Sequence, residues 1–160
     1  MKKFTVQADI YCASHIDELP EADAALLQRA KEAAEHAYAP YSQFQVGAAV
    51  RLANGVVVIG NNQENAAYPV TLCGERVAVF AAAAQYPDVP VEAVAITIKS
   101  PTGTIDRPVP PCGACRQALY EYEVRHKHPI RLILQGDKGV IYSTETVQAL
   151  LPLVFDASFL

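Results

Sequence analysis

The sequence has no basic excess, no long apolar run, no linker and no internal repeat, and each absence excludes something. Thirteen Lys and Arg face seventeen Asp and Glu across 160 residues, a net charge of −4, and no block of five like charges occurs. Proteins that grip a phosphate backbone usually carry a basic stripe, so nucleic acid is not an expected partner, whereas a small uncharged ligand is. The longest apolar run, Val77 to Ala84, is eight residues, far short of the roughly 18 needed to span a membrane. After Met1-Lys2-Lys3 the chain reads Phe-Thr-Val-Gln-Ala-Asp, which is not the apolar core of a secretion leader. A cytoplasmic protein without membrane partners is expected. With no Gly/Ser linker, residues 1–160 are expected to form one domain, large enough to bury roughly 70% of its unfolded surface.

What is present alternates. Residues 3–11 alternate loosely and suggest a short strand within an N-terminal extension, residues 1–17. Pro20, Glu21 and Asp23 mark a helix start, because proline suits the first helical position and acids suit the positive end of the dipole. Leu26, Leu27, Ala30, Ala33, Ala34 and Ala37 recur at helical spacing until Pro40. Strands are predicted at 44–52 and 56–61, joined at Asn54-Gly55, a two-residue turn signal requiring positive φ at both positions. There follow a helix (74–86), a strand (92–99), a helix (113–124), strands at 130–134 and 139–142, and a short helix (145–150). This alternation predicts a two- or three-layer α/β domain around a mixed sheet. Helix 74–86 is apolar nearly all round, so it needs burial on more than one side, by the sheet and by another subunit.

The chemistry concentrates in Cys73-Gly74-Glu75 and Pro111-Cys112-Gly113-Ala114-Cys115. All three cysteines fall at predicted helix N-termini, where the dipole and free amides favour thiolate, the metal-binding form. Three thiolates suit Zn²⁺ and leave a fourth position open, the pattern of a catalytic site. Glu75 is placed to move protons there. Because i and i+2 do not face each other on a helix, the pairing requires Cys73 at the cap, outside helical geometry. Other readings compete: Cys112-x-x-Cys115 as a redox pair, or a structural zinc completed by His126 or His128, although their spacing misses that of a zinc finger. The two histidines fit better as neutralisers of a helix C-terminus, and Cys12 as a small buried side chain.

Zinc deaminases with a Cys₃ site carry a non-ligand glutamate and a P-C-x-x-C element. Beyond that pattern, the chain resembles the small cytidine deaminases through Ala39-Pro-Tyr-Ser-Gln-Phe-Gln-Val-Gly-Ala-Ala, Asn62-Gln-Glu-Asn-Ala-Ala-Tyr-Pro, Cys73-Gly-Glu-Arg, Pro111-Cys-Gly-Ala-Cys-Arg-Gln and Leu150-Leu-Pro-Leu-Val-Phe. The resemblance implies a three-layer α-β-α fold with a mixed five-stranded sheet, and hydrolytic deamination of cytidine and deoxycytidine in pyrimidine salvage. It implies one Zn²⁺ per subunit on Cys73, Cys112 and Cys115, with Glu75 taking a proton from the reacting water and returning protons to N3 and the departing amine. Arg76 is implied to hydrogen-bond the ligand sulfurs, although by its position alone it reads as an exposed helix arginine. Asn62 and Glu64 are implied to hold the ribose, Phe44 to pack on the base (by pattern alone it is equally a core residue), and the Gly74 amide to bind the base carbonyl. Tyr68 and Phe155 are implied to reach a neighbouring subunit's site in a homotetramer. Two departures stand out: Gly74 where the family most often has alanine, and Ala67 where a small polar residue is common. Together they suggest room for a slightly different substrate, such as a blasticidin-like or modified-cytosine nucleoside. From another class, a non-catalytic zinc-stabilised binding module remains, with no use for Glu75.

Overall fold

The structure is a computed structural model that describes residues 1–101 and 103–160. Among the described residues, six strands and three α-helices follow the alternation read from the sequence: β1 (Tyr11–Ala13), α1 (Glu21–Ala34), β2 (Gln45–Leu52), β3 (Val57–Asn61), α2 (Gly74–Gln85), β4 (Val91–Lys99), α3 (Gly113–His126), β5 (Arg131–Gln135) and β6 (Ile141–Thr144). They form one sheet in the order β1-β6-β5-β4-β2-β3. It is mixed, because β4 and β5 run parallel, joined through α3, while the other neighbours run antiparallel. The expected five strands are therefore six. The extra one is β1, which pairs with β6 through Tyr11↔Ser143 and Ala13↔Ile141, where the loose alternation had suggested residues 3–11. The short helix expected at 145–150 is a single 3₁₀ turn, Val147–Leu150.

Strand periodicity of two sorts the core onto two faces. Ala48, Val50, Val94, Ile96, Leu132 and Leu134 point to one side, where Ala78, Val79 and Ala82 of α2 and Leu119 of α3 cover them. Ala49, Ala93, Ala95 and Ile133 point to the other, under Leu26, Leu27 and Ala30 of α1. The result is three layers, α1 on one face and α2 with α3 on the other. α1 lies very close: a Cβ on Gly47 would sit 2.0 Å from the Ala30 carbonyl oxygen and 2.4 Å from the Ala34 nitrogen. Gly47→Ala is therefore expected to cost about 1–3 kcal/mol or more through overpacking, read as a lowered midpoint in thermal or urea unfolding; an unchanged midpoint would show that α1 yields freely.

The β2–β3 turn differs from the predicted two-residue form. Gly55 takes positive φ (+83°) while Asn54 does not, Gly55 N–H donates to Leu52 C=O at 2.8 Å, and Leu52 N–H donates to Val56 C=O at 2.9 Å. Three residues, Ala53 to Gly55, thus form the loop, with glycine at the left-handed position. Two buried carboxylates tie the layers. Asp23 on α1 pairs with Arg51 of β2 (3.0 Å) and Arg131 of β5 (2.8 Å). Glu123 on α3 accepts from Ile130 N–H (2.7 Å) and Val147 N–H (2.8 Å). Among the described residues, no helix is long and apolar enough to cross a membrane.

Candidate metal centre and substrate site

The sheet brings the N-termini of α2 and α3 together on one face. Cys73 is the N-cap of α2, with extended backbone (φ −70°, ψ 151°), and Glu75 lies in the first turn; that is the boundary the i, i+2 pairing demanded. Cys112 caps α3 in the same way (φ −65°, ψ 167°), and Cys115 follows one turn on. Their three Sγ atoms lie within 4.8 Å of one another, and those of Cys112 and Cys115 are 3.4 Å apart. Zinc with Zn–S bonds near 2.3 Å spaces its sulfurs about 3.8 Å apart, so the cluster fits the ion. Soft thiolates also suit it chemically. Cys12 stands apart in β1 and is exposed, a correction to the buried side chain expected there.

The surroundings of the cluster favour thiolate at Cys73. The Cys73 thiol is pulled down to about 5, first by a hydrogen bond from the Cys115 thiol and then by Arg76, against the effect of burial. Cys115 is pushed up in turn, chiefly because it shares a proton with Cys73. Arg76 is half-buried. Its Nη2 donates to the Thr71 carbonyl at 3.3 Å and reaches Cys73 Sγ at 3.9 Å. It is thus not the exposed helix arginine that its position alone suggests: its Nε is buried, with no hydrogen-bond partner among the described residues.

Glu75 is 4% exposed. Burial pushes its carboxyl above the ordinary glutamate value, and the Cys73 thiolate adds to the rise. Its Oε2 is buried without a hydrogen-bond partner among the described residues. A buried, unpaired carboxylate oxygen is costly unless something else occupies the site, and here it lies two residues from a ligand sulfur. His126 and His128 sit at the other end of α3, about 20 Å along the helix from Cys112, and take no part. Burial and then Arg125 hold His126 below its ordinary value.

The residues implied to bind substrate lie just beyond β3 and just before β2. Asn62 is buried, and its amide clamps the start of β2: Oδ1 accepts from Val46 N–H and Nδ2 donates to Phe44 C=O, both at 2.8 Å. One amide hydrogen and one lone pair remain for a ligand. The Glu64 carboxylate accepts from Tyr41 N–H (2.9 Å), Ser42 N–H (3.2 Å) and the Ser42 hydroxyl, and the Ser42 hydroxyl foremost lowers its pKa. Ser42 Oγ in turn accepts from Phe44 N–H at 3.0 Å. Between them Gln43 holds positive φ (+56°), a conformation non-glycine residues rarely adopt outside tightly determined loops. The Asn62/Glu64 pair therefore shapes the segment carrying Phe44. Ser42, to which no sequence pattern assigns a role, is the bridge, and only the folded contact reveals it.

Gly74 corrects one expectation. A Cβ there would lie 2.9 Å from the Val46 carbonyl oxygen and 3.2 Å from Asn61 Cα, so the missing methyl lets α2 approach the β2–β3 backbone and does not enlarge a pocket. Ala67 is exposed and donates its N–H to Asn65 Oδ1 at 2.9 Å. Tyr68 and Phe155 are 66% and 57% exposed; Tyr68 meets Tyr41 edge-on at 6.0 Å, and Phe155 stacks on Phe159 at 5.7 Å.

Residues 20–128 match the family model of the cytidine and deoxycytidylate deaminase zinc-binding region. A cytidine deaminase of Halalkalibacterium halodurans is 45% identical over 132 residues, 82% of this chain and 92% of its own. Among solved structures, the cytidine deaminase from Burkholderia pseudomallei is similar with a TM-score of 0.71 at 39% identity, covering 82% of this chain and 97% of that one. The cytidine deaminase from Mycobacterium leprae is similar at 0.62 and 33% identity, covering 81% and 96%.

Proposed function

This chain belongs to the cytidine and deoxycytidylate deaminase family, and on that premise we propose that it hydrolyses cytidine and deoxycytidine to uridine and deoxyuridine, consuming water and releasing ammonia. The observation that carries the reading is Glu75, a buried carboxylate with an unpartnered oxygen beside three sulfurs grouped for a metal. A binding module stabilised by zinc would gain nothing from that carboxylate and would bear its desolvation cost.

Cys73, Cys112 and Cys115 hold the zinc, which when bound supplies Lewis acidity that makes water reactive near neutral pH. Glu75 takes up the proton of the reacting water and passes protons to N3 and to the departing amine. A carboxyl raised by burial suits a shuttle that must both accept and give near neutrality. Arg76 offsets part of the charge of three thiolates through Cys73 Sγ. The Gly74 amide donates to the base carbonyl, and Phe44 packs on the base from the segment held by Asn62 and Glu64. Those two residues use their remaining hydrogen-bonding capacity on the ribose.

Chain 1–160 acts as one domain, with residues 1–17 as an extension, and assembles as a homotetramer. Support comes from side chains that a lone chain leaves in water: Tyr68, Phe155 and, on the outer face of α2, Phe80 at 42% exposure. Tyr68 and Phe155 then complete a neighbour's site. Free thiols among all four cysteines suit a reducing cytoplasm. The substrate class is tested by a panel of cytidine, deoxycytidine, free cytosine and cytidine monophosphate. Turnover is expected for the two nucleosides and about tenfold or more weaker kcat/KM for the free base, which offers nothing to Asn62 and Glu64. Equal rates on cytosine would remove the ribose role from that pair.

A further inference from the structure

The turn of α3 that supplies Cys115 also carries two side chains that hydrogen-bond other segments of the chain. Arg116 donates Nε to the Pro111 carbonyl at 2.8 Å and Nη1 to the Leu150 carbonyl at 2.9 Å. One guanidinium thus joins the residue preceding Cys112 to the end of the 3₁₀ turn Val147–Leu150. Gln117 donates Nε2 to the Phe155 carbonyl at 2.9 Å. Between those anchors Leu150, Leu151 and Val154 pack against the core that includes Leu119 and Tyr120 of α3, while Leu153 and Phe155 point outward, 76% and 57% exposed. The backbone of 150–155 is held, and Leu153 and Phe155 are presented to the outside.

We propose that Arg116 and Gln117 are positioning residues that latch the C-terminal segment, 150–155, to the turn of α3 that carries the metal ligands, so that holding zinc and holding this segment are linked. The planar fork of arginine makes the link specific, because it fixes two carbonyls at once in a geometry that an ammonium cannot reproduce. Linkage requires reciprocity: if zinc orders the first turn of α3 and so the segment, an ordered segment must tighten zinc binding by the same free energy. The proposal rests on Cys112 and Cys115 holding metal, but on nothing concerning substrate.

Hydrogen exchange followed by mass spectrometry over residues 148–160 tests it, paired with zinc affinity measured by equilibrium competition with a chromophoric chelator. In the wild type, removing zinc is expected to speed exchange of this segment about tenfold, within the usual range of such couplings. Arg116→Lys, with zinc bound, is expected to speed segment exchange and to weaken zinc affinity by a similar factor. Gln117→Glu, nearly isosteric but without the N–H donor, should loosen the segment, and Gln117→Lys, which restores a donor, should tighten it again. Segment exchange indifferent to zinc, or a segment loosened by Arg116→Lys with wild-type zinc affinity, overturns the latch. If Arg116→Lys does not fold, the wild-type comparison with and without zinc and the Gln117 pair still decide. A chain that takes up no zinc overturns the metal reading and this proposal together, whereas zinc uptake with an indifferent segment overturns the latch alone.

Discussion

Glu75→Gln is expected to lower kcat on cytidine by about 100- to 10,000-fold, the range associated with removing a positioned general acid–base group, while the protein keeps one zinc per chain and its fold. The substitution preserves shape and removes only the ability to take and give a proton. The carboxylate is buried and one of its oxygens has no partner among the described residues, so no stabilising contact of that oxygen is lost. The pH dependence has a definite sign. Burial raises the folded-state pKa of Glu75, so its stabilising contribution is complete below the ordinary glutamate range and is lost as pH rises through the raised value. In metal-free protein near neutral pH, Glu75→Gln is therefore expected to be at least as stable as the wild type. Zinc analysis, thermal unfolding and steady-state kinetics on the same preparation separate the alternatives. Loss of zinc or fold in Glu75→Gln would make the residue structural.

Stripping the metal is expected to abolish turnover and lower the melting temperature substantially. A ligand present at about 1,000 times its dissociation constant contributes about 4 kcal/mol to a folded state that alone binds it. For a chain near this length each kcal/mol moves the midpoint by about 2–4 °C, so a fall of roughly 8–16 °C is expected on chelation, reversed by returning zinc. Cys112→Ser is the cleaner genetic counterpart, because Cys112 is exposed whereas Cys115 is buried; replacing it removes a ligand without disturbing the core. That variant should lose zinc and activity while melting near the chelated wild type. A melting temperature indifferent to both treatments would show that the three sulfurs do not hold a metal in solution.

The metal set was legible because its chemistry demands particular residue types at short, fixed spacing. Cys73-x-Glu75 and Cys112-x-x-Cys115 leave few alternatives, and even the helix boundary at Cys73 follows from the geometry of i and i+2. The alternating order of strands and helices was legible for a similar reason, since continuous apolar runs through Ala48 to Val50 and Ala93 to Ile96 mark strands buried on both faces. What stayed hidden depends on contacts between distant segments. The sixth strand lies at Tyr11–Ala13 because that is where the chain finds β6; the loose alternation of residues 3–11 announced a strand but not its place. The hairpin geometry follows from which residues pair, Leu52 with Val56, more than from Asn54-Gly55 itself. Gly74 looked like a missing methyl in a pocket, but only the approach of Val46 shows which way that methyl would point. Asn62 read as a free ribose ligand, yet its amide already binds two backbone groups. The ribose reading and the loop-shaping role thus fall on the same two side chains, and Ser42, which joins Glu64 to Phe44, becomes visible only with the chain folded.

The most direct measurement is to incubate the zinc-loaded protein with cytidine and follow ultraviolet absorbance and ammonia together. The account predicts uridine and ammonia in a one-to-one ratio, with deoxycytidine behaving likewise. Absence of turnover on both nucleosides, by protein shown to contain one zinc per chain, would contradict it.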